Sequence, residues 1–317
     1  MTIRILSTST LVGPHIENLG HDFPELRIAP YRSTLWTEAL PGAEALVVML
    51  SEPLTEEDLE LCTNVKVIGT YSVGTNHLPQ VYCKARGIYI VNTPGVLTDA
   101  TADLALTLLL ALTRRVREGE ALARSGDWKG WAPDLLLGSS LTGKTCGILG
   151  SGPIGRAFAR RAWAMGMKVI FWDREGTHAP VDFGVNTSHR LPLDDLLRHS
   201  NVLSLHCPLT DQTRGILSRE KLTLLPEGAF IINTSRGGII DEPAAIELLR
   251  QKKLGGVGLD VYENEPDIDP QWRAIPGTVL LPHLGSATVE TREAMSKLLC
   301  DGIRQALLTS GSDTGQD

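Results

Sequence analysis

Three side chains suited to acid–base chemistry or anion binding follow apolar runs in the second half of the chain. Arg236 comes after AFIINT, Glu265 after VGLDVY and His283 after VLL, and each run suits a buried strand. A guanidinium fork can bind a carboxylate and a neighbouring carbonyl oxygen, and an imidazole changes its charge near neutral pH. The combination predicts that Arg236 binds a substrate, and that His283 gives a proton to an oxygen atom or takes it back.

The acidic member of this group is not fixed by spacing, because Glu263 and Glu265 follow the same run. A carboxylate beside His283 would hold the imidazole and favour its protonated form. Each residue also has an ordinary interpretation, since an arginine after a strand is often a surface residue and a single histidine is often structural. The carboxyl ends of strands in a doubly wound sheet face one crevice, which favours the functional interpretation.

Residues 144–173 predict the elements that must position such a site: a strand, a glycine turn, a helix and a second strand. Gly150, Gly152 and Gly155 form the pattern G-x-G-x-x-G of a dinucleotide site. The first glycine allows a tight turn, the second lets the backbone approach a pyrophosphate, and the third lets helix and strand pack closely. The helix start, at Pro153 and Ile154, would face the phosphates. Glycines alone occur in turns of any α/β protein, but the flanking elements favour the dinucleotide site.

Asp173 ends the second strand, near the position where a carboxylate accepts hydrogen bonds from the adenosine ribose. Its charge would repel the 2′-phosphate of NADP, so we expect NAD, although Arg174 beside it leaves NADP as an alternative. Pro153 has no N–H group and cannot donate to a phosphate, but it suits the first helical turn.

Length and composition place the chain among globular proteins of two domains. The 317 residues are 42% hydrophobic and 21% charged, and the net charge of −7 argues against a nucleic-acid partner. The five cysteines are scattered, which argues against a disulfide framework and a zinc cluster and predicts a reducing compartment. The N-terminus lacks the apolar core of a signal peptide, and the most apolar stretch, Leu104–Leu112, is too short to span a bilayer. We therefore expect a cytoplasmic protein without a metal.

One long helix is expected over residues 98–117, TDATADLALTLLLALTRRVR. It is apolar over much of its circumference and must be buried, either in its own core or against a second subunit. The following segment, residues 125–138, is predicted to be a loop and carries Trp128 and Trp131, which either cover the domain's own core or meet a partner surface. We favour a dimer contact.

Strands and helices alternate along the rest of the chain, which predicts a doubly wound parallel sheet. Residues 1–95 form a smaller α/β layer without a dinucleotide pattern. The turn Ser72–Asn76 follows a strand there and could face a ligand or be an ordinary loop.

Four segments together resemble the D-isomer-specific 2-hydroxyacid dehydrogenase family: GSGPIG, INTSRGG, GLDVYENEP and LPHLGSAT. The resemblance extends from about Val47 to the last helix. It implies a Rossmann NAD-binding domain at residues 97–286. It also implies a smaller flavodoxin-like substrate domain formed by residues 1–96 and 287–317.

The resemblance also implies roles for single residues. Arg236 would bind the substrate, His283 would be the acid/base, and Glu265 rather than Glu263 would be its partner. Asp260 would face the nicotinamide carboxamide. Further residues implied at the cofactor are Cys207, Pro208, Thr213 and Thr234.

Within the family, three segments are similar to glyoxylate/hydroxypyruvate reductases: YSVGTNHL, NTPGVLTDATADLALTLLLALTRR and WKGWAPDLLLG. This implies a homodimer through the helix of residues 98–117 and the loop of residues 125–138, with Trp131 reaching the partner's active site. Leu50 and Ser286 would line the substrate pocket, and the backbone of Val73 and Gly74 would hold the substrate carboxylate. Pro153 departs from the family, where many members carry a residue with an N–H group.

The implied reaction is hydride transfer between NAD(H) and a small 2-oxo acid, most simply glyoxylate or hydroxypyruvate. Alternatives are another substrate, such as phosphoglycerate, a branched 2-oxo acid or phosphite, or a non-catalytic NAD-sensing co-repressor.

Overall fold

The structure is a computed structural model that describes residues 4–174 and 179–310. It divides into two compact units. The first comprises Met1–Leu97 and Ser286–Asp317, and the second comprises Thr98–Gly285.

The first unit is built on a parallel sheet of five strands in the order β2-β1-β3-β4-β5. Its elements up to residue 97 are β1 (Ile5–Ser7), α1 (His15–Asp22), β2 (Arg27–Ile28), α2 (Thr34–Ala39), a 3₁₀ turn (Leu40–Gly42), β3 (Ala45–Val48), α3 (Glu56–Leu61), β4 (Val67–Thr70), α4 (Gln80–Ala85) and β5 (Tyr89–Val91). Helix α3 begins with a capping box, in which the backbone N–H of Asp58 donates to Thr55 Oγ1 at 3.2 Å and the Thr55 N–H donates back to the Asp58 carboxylate at 3.0 Å.

The second unit is built on a parallel sheet of six strands. Its elements are α5 (Thr98–Thr113), α6 (Val116–Ser125), β6 (Thr145–Leu149), α7 (Pro153–Ala164), β7 (Lys168–Trp172), β8 (Val181–Asp182), β9 (Thr187–Ser188), α8 (Leu193–His199), β10 (Val202–Leu205), α9 (Arg219–Thr223), β11 (Ala229–Asn233), a 3₁₀ turn (Gly237–Ile239), α10 (Glu242–Arg250), β12 (Leu254–Leu259), α11 (Pro270–Ala274) and β13 (Thr278–Leu280). Helix α12 (Val289–Ser310) then returns to the first unit, where it packs on β4 and β5.

The order of the large sheet, β13-β12-β11-β10-β6-β7, positions the glycine turn. The chain runs from β6 to one edge at β7 and then crosses back to β10 on the other side of β6. The strand order therefore reverses beside β6, and ligands of open α/β sheets bind at such a reversal, outside the carboxyl ends of the strands. The predicted fold class, a doubly wound sheet with a second, smaller parallel sheet, is confirmed.

Both faces of the large sheet are covered, as all-parallel sheets require. One face packs around Phe158, Phe171 and Leu108, and the other around Leu203, Ile231 and Trp272, all of them inaccessible to solvent. Every residue of β10 is buried, including Ser204, which explains why this strand reads as an almost continuous apolar run.

The prediction of one helix over residues 98–117 is wrong. Helix α5 ends at Thr113, and Arg115 has a left-handed backbone with φ of 50° before α6 begins. The backbone N–H of Ser139 donates to the Thr113 carbonyl at 2.7 Å, so a returning segment takes an acceptor that a longer helix would need. Much of the apolar surface of α5 is buried in its own unit, including Ala105 and Leu109. That face is not available to a second subunit.

Among the described residues, no helix combines the length and the apolar character needed to cross a membrane. Within the same ranges, no cluster of three His, Cys, Asp or Glu residues could hold a metal ion.

Candidate active site

The glycine turn after β6 has the geometry that its sequence predicts. Gly150 has φ of +100°, a conformation that favours glycine, and it lies against the backbone of residues 206 and 207. A Cβ atom on Gly155 would lie 2.0 Å from the Gly150 carbonyl oxygen, so α7 can pack on β6 only with glycine there. Gly152 caps α7, Pro153 is its first residue, and a Cβ on Gly152 would meet nothing within 4 Å. The turn therefore leaves room beside the helix N-terminus, where an anion is favoured.

A pocket of about 340 Å³ opens beside this turn, entirely within the second unit. It is lined by Gly150, Ser151, Gly152, Trp172, Asp173, Arg174, Arg190, His206, Cys207, Pro208 and Thr213. Six of the residues predicted to bind the cofactor are in this set: Gly150, Gly152, Asp173, Cys207, Pro208 and Thr213. The other five predicted residues, Pro153, Ile154, Gly155, Thr234 and Asp260, are not among the residues lining the pocket.

Asp173 lies at the end of β7, where the carboxylate is bound by the glycine turn itself. The Ser151 backbone N–H donates to Oδ1 at 2.7 Å, and the Ser151 hydroxyl donates to Oδ2 at 2.6 Å. Burial pushes the pKa of Asp173 up, but hydrogen bonds from Arg190 and Ser151 outweigh it and hold the pKa below its ordinary value. The carboxylate is therefore charged at neutral pH.

Thr234 follows β11, and its hydroxyl has no hydrogen-bond partner among the described residues although it is inaccessible to solvent. Buried hydroxyls are normally satisfied. A bound dinucleotide that reaches the end of β11 would offer polar groups to this atom.

His283 and Glu265 form a hydrogen-bonded pair, with His283 Nδ1 at 2.7 Å from Glu265 Oε2. The other carboxylate oxygen accepts from the Tyr262 backbone N–H at 3.0 Å, which fixes the orientation of Glu265. Burial raises the pKa of Glu265, but the hydrogen bond and charge of His283 outweigh it and lower the pKa overall. Within the described ranges, no residue forms a hydrogen bond with His283 Nε2, so this atom is free to act on a ligand.

Arg236 follows β11, and its turn is held against the loop that carries Glu265. A Cβ on Gly237 would lie 1.9 Å from the Tyr262 carbonyl carbon, so the two backbones approach more closely than any larger residue would allow. Asn233 Nδ2 donates to the Arg236 carbonyl at 2.8 Å, and Arg236 Nη1 donates to the Ser235 carbonyl at 2.7 Å. Burial lowers the pKa of Arg236, while the charge of Glu265 raises it. The two charges therefore act on each other.

Asp260 holds the backbone around His283, a feature that spacing did not predict. Its carbonyl accepts from the His283 N–H at 2.9 Å, and its carboxylate accepts from the N–H groups of Leu284 at 2.6 Å and Gly285 at 2.8 Å. His283 itself has φ of 57°, which is uncommon for a residue with a side chain. Tyr262 donates its hydroxyl to the Leu281 carbonyl at 2.9 Å. The loop is thus fixed on both sides of the histidine.

Four residues predicted to contact the substrate, Leu50, Val73, Gly74 and Ser286, lie in the first unit, although the predicted domain bounds had placed Ser286 in the NAD-binding domain. Leu50 follows β3, Val73 and Gly74 follow β4, and Ser286 begins the segment that leads to α12. Asn92 Nδ2 donates to the Val73 carbonyl at 2.8 Å, and Ser72 Oγ donates to the Gly74 carbonyl at 2.7 Å, so this loop has a defined conformation.

Trp131 belongs to the second unit, and 83% of it is exposed. Five residues that line the pocket were not predicted to bind the cofactor: Ser151, Trp172, Arg174, Arg190 and His206. Ser151 lies between the first two glycines of the G-x-G-x-x-G pattern, so its position in the sequence could have predicted its place at the pocket. Arg190 and His206 have no such signal.

The fold agrees with comparisons to known proteins. The family model described as "D-isomer specific 2-hydroxyacid dehydrogenase, NAD binding domain" matches residues 106–285. A glyoxylate reductase of Thermococcus litoralis is 42% identical over 279 residues, which cover 87% of this chain and 83% of the relative.

Two solved structures extend the likeness over the whole fold. A protein from Thermus thermophilus superposes with a TM-score of 0.90 at 40% identity, covering 97% of each chain. An NADPH-dependent glyoxylate/hydroxypyruvate reductase from Sinorhizobium meliloti, solved with NADP and malonate, has a TM-score of 0.86 at 30% identity and covers 97% of this chain and 94% of its own. The chain belongs to the D-isomer specific 2-hydroxyacid dehydrogenase family, and residues 106–285 are its NAD-binding domain.

Proposed function

We propose that this oxidoreductase reduces a small 2-oxo acid, glyoxylate or hydroxypyruvate, to the 2-hydroxy acid, the D-isomer where a stereocentre forms. The observation that carries the proposal is the pair of His283 and Glu265, in which Nδ1 is engaged and Nε2 is left for a ligand. A bound nicotinamide cofactor would supply the hydride for the carbonyl carbon. The residues of the chain then have to bind the acid and deliver one proton.

Arg236 is proposed to bind the substrate, since its fork suits a carboxylate and the adjacent carbonyl oxygen. His283, in its protonated form, gives the Nε2 proton to the carbonyl oxygen as the alkoxide develops. Glu265 stabilises the imidazolium before that transfer, because its carboxylate lies against Nδ1. In the reverse reaction, neutral His283 takes the hydroxyl proton.

For the first unit, the proposal gives the backbone N–H groups of Val73 and Gly74 a role in holding the substrate carboxylate. It also gives Leu50 and Ser286 a role in the pocket wall. These residues would set the size of the acceptable acid.

NADH is the proposed hydride donor. Asp173 is charged and lies at the pocket beside the glycine turn, where it can accept a hydrogen bond from the adenosine ribose. Gly150, Gly152, Pro153, Ile154 and Gly155 would surround the pyrophosphate. Cys207, Pro208, Thr213, Thr234 and Asp260 would line the rest of the cofactor cleft, with Asp260 facing the nicotinamide carboxamide.

A homodimer is proposed through α6 and the segment of residues 126–138. Helix α6 buries none of its residues within the chain, and Trp128 and Trp131 are 58% and 83% exposed. The same two segments carry three more exposed apolar side chains, Val116, Leu135 and Leu137. Exposed aromatic and aliphatic groups of this kind are typical of a protein interface, and Trp131 is proposed to reach the partner's active site. Light scattering on the Trp131→Ala variant tests the dimer.

The cytoplasm is the proposed compartment. All five cysteines are buried, free thiols, which suits a reducing environment.

A turnover assay tests the proposed reaction. NADH oxidation is followed with glyoxylate, hydroxypyruvate, 3-phosphohydroxypyruvate and a branched 2-oxo acid, and NAD⁺ reduction is followed with phosphite. We expect the highest kcat/KM with glyoxylate or hydroxypyruvate. Turnover only with one of the other substrates would contradict the proposed substrate but not the proposed reaction class. A lack of turnover with all of them would refute the proposal that the protein is an enzyme.

A further inference from the structure

The carboxylate of Asp173 forms an ion pair with an arginine from a later segment of the second unit. Arg190 Nε donates to Asp173 Oδ2 at 2.6 Å, and Arg190 Nη2 lies 3.2 Å from the Ser151 hydroxyl. Both side chains are mostly buried, with 16% of Arg190 and 22% of Asp173 exposed. Because the contact is short and shielded from water, Arg190 compensates the negative charge at this end of the pocket far better than a surface ion pair would.

Arg190 is held in place by its backbone as well as by this pair. The Phe171 N–H donates to the His189 carbonyl at 3.0 Å, and the Leu191 N–H donates to the Phe171 carbonyl at 2.8 Å. The segment therefore runs alongside β7 and carries Arg190 to the pocket. Arg190 Nη1 also donates to the Ala179 carbonyl.

The charges around the pocket end suit an added anion. Arg174 and Arg190 line the pocket together with Asp173, so two positive charges face one negative charge. A phosphate monoester carries roughly −1.5 to −2 charges at pH 7. Guanidinium offers five N–H donors, and in the described part of the chain Arg190 uses three of them, on Asp173, Ser151 and Ala179.

The donors that reach Asp173 also limit what the carboxylate can bind. Oδ2 already accepts from the Ser151 hydroxyl and from Arg190 Nε, while Oδ1 accepts from the Ser151 backbone. A carboxylate has about four acceptor positions, so a ribose diol would not find both oxygens open. The contact of Arg190 with Asp173 therefore has two effects. It leaves fewer acceptor positions for the hydroxyl groups of an unmodified ribose, and it supplies a cation for a 2′-phosphate.

We propose that Arg190 admits the 2′-phosphate of NADPH, and that the enzyme therefore uses NADPH as well as NADH. Arg190 screens the charge of Asp173 and offers its remaining N–H groups to the phosphate, and Arg174 adds a second positive charge. The proposal rests on the proposed function, because it assumes that a nicotinamide dinucleotide occupies this pocket. It reverses the expectation that Asp173 excludes NADP.

The test measures binding of two adenosine fragments to the full chain by isothermal titration calorimetry, without substrate or turnover. The fragments are 5′-AMP and adenosine 2′,5′-bisphosphate, which differ by the 2′-phosphate. We expect wild type to bind the bisphosphate at least as tightly as AMP. Arg190→Gln should lower the preference for the bisphosphate about tenfold, the size expected for a lost hydrogen bond to a charged group. Arg198→Gln is the matched control, since it removes an exposed arginine outside the pocket lining and should leave the preference unchanged.

An unchanged preference in Arg190→Gln, or a wild type that binds AMP more tightly than the bisphosphate, would overturn the proposal. If Arg190→Gln fails to show a cooperative thermal transition, Arg190→Lys replaces it, because it keeps a positive charge beside Asp173 but lacks the guanidinium fork. That variant should lower the preference for the bisphosphate, and an unchanged preference would refute the role of Arg190. Binding of neither fragment to wild type would instead refute the cofactor pocket, and with it the proposed function.

Discussion

His283 Nδ1 lies 2.7 Å from Glu265 Oε2, and the second oxygen of the same carboxylate is held by the Tyr262 backbone. One side chain therefore orients the imidazole and supplies a negative charge to its protonated form. The alternative acid, Glu263, is exposed and donates its backbone N–H to Glu242 at 2.9 Å. The geometry favours Glu265 as the partner of His283.

Replacing Glu265 by Gln should lower kcat for reduction by at least about tenfold. A positioned general acid contributes roughly 10²–10⁴-fold to the rate, and His283 would lose the carboxylate that orients it. The lost charge also destabilises the imidazolium. The alkaline fall in the pH–rate profile should therefore move to lower pH. Glu263→Gln removes a neighbouring charge as a control and should keep both kcat and the profile. Superimposable profiles for wild type and Glu265→Gln would contradict the pairing.

Asp260→Asn should weaken the loop that carries His283. Burial raises the pKa of Asp260, while the N–H groups of Leu284 and Gly285 and the charge of His283 act against it. An asparagine can accept from only one of the two N–H groups, and the other would face an amide NH₂. We expect the free energy of unfolding to fall by about 1–3 kcal/mol, the cost of an unsatisfied buried donor.

Asp260→Asn should also affect kcat more than the substrate KM, because the change acts on the position of His283 and not on Arg236. Urea unfolding and steady-state kinetics check the two parts separately. A variant with wild-type stability and wild-type kcat would show that Asp260 does not hold this loop.

His206 should make the protein less stable in acid. Its Nε2 lies 2.9 Å from the Ser204 hydroxyl, Nδ1 is inaccessible and without a partner among the described residues, and the ring packs 5.1 Å from Phe158. Burial lowers the pKa of His206 to about 3. In the unfolded chain, His206 binds a proton with the ordinary pKa of 6.5. The contribution of neutral His206 to the free energy of unfolding is therefore fully present above that pH, and it is lost as pH falls toward the lowered pKa.

The loss from His206 alone approaches at most about 1.4 kcal/mol per pH unit. His206→Gln cannot titrate and can still bond to Ser204, so its stability should depend less on pH in the acidic range below the ordinary histidine pKa. Urea unfolding of both proteins across this window gives the difference. Parallel curves would mean that His206 is not buried in its neutral form.

The sequence predicted most of the second unit because its elements follow local rules. AFIINT corresponds to β11 within one residue, and the glycine pattern corresponds to the turn before α7. Residues that follow strand ends were predicted as a group, since parallel strands bring those ends to one edge. The family resemblance was needed to choose Glu265 over Glu263, because both residues follow the same predicted strand and their spacing does not distinguish them.

The features that the sequence did not predict depend on contacts between distant segments. Helix α5 ends where the Ser139 N–H donates to the Thr113 carbonyl, and the sequence around Thr113 does not predict that contact. Arg190 reaches Asp173 only because its segment lies beside β7. Short elements such as α2, with six residues, span too few turns to show a period.

Pro153 occupies the first position of α7, where an N–H group would point out of the helix N-terminus toward a bound pyrophosphate. Pro153→Ala restores that donor. We expect ADP-ribose to bind about fivefold more tightly, which corresponds to one net hydrogen bond of about 1 kcal/mol. Pro270→Ala is the control, because Pro270 begins α11 outside the pocket lining and loses the same backbone constraint. Calorimetric titration of both variants decides the point, and equal affinities in wild type and Pro153→Ala would show that the pyrophosphate does not use this position.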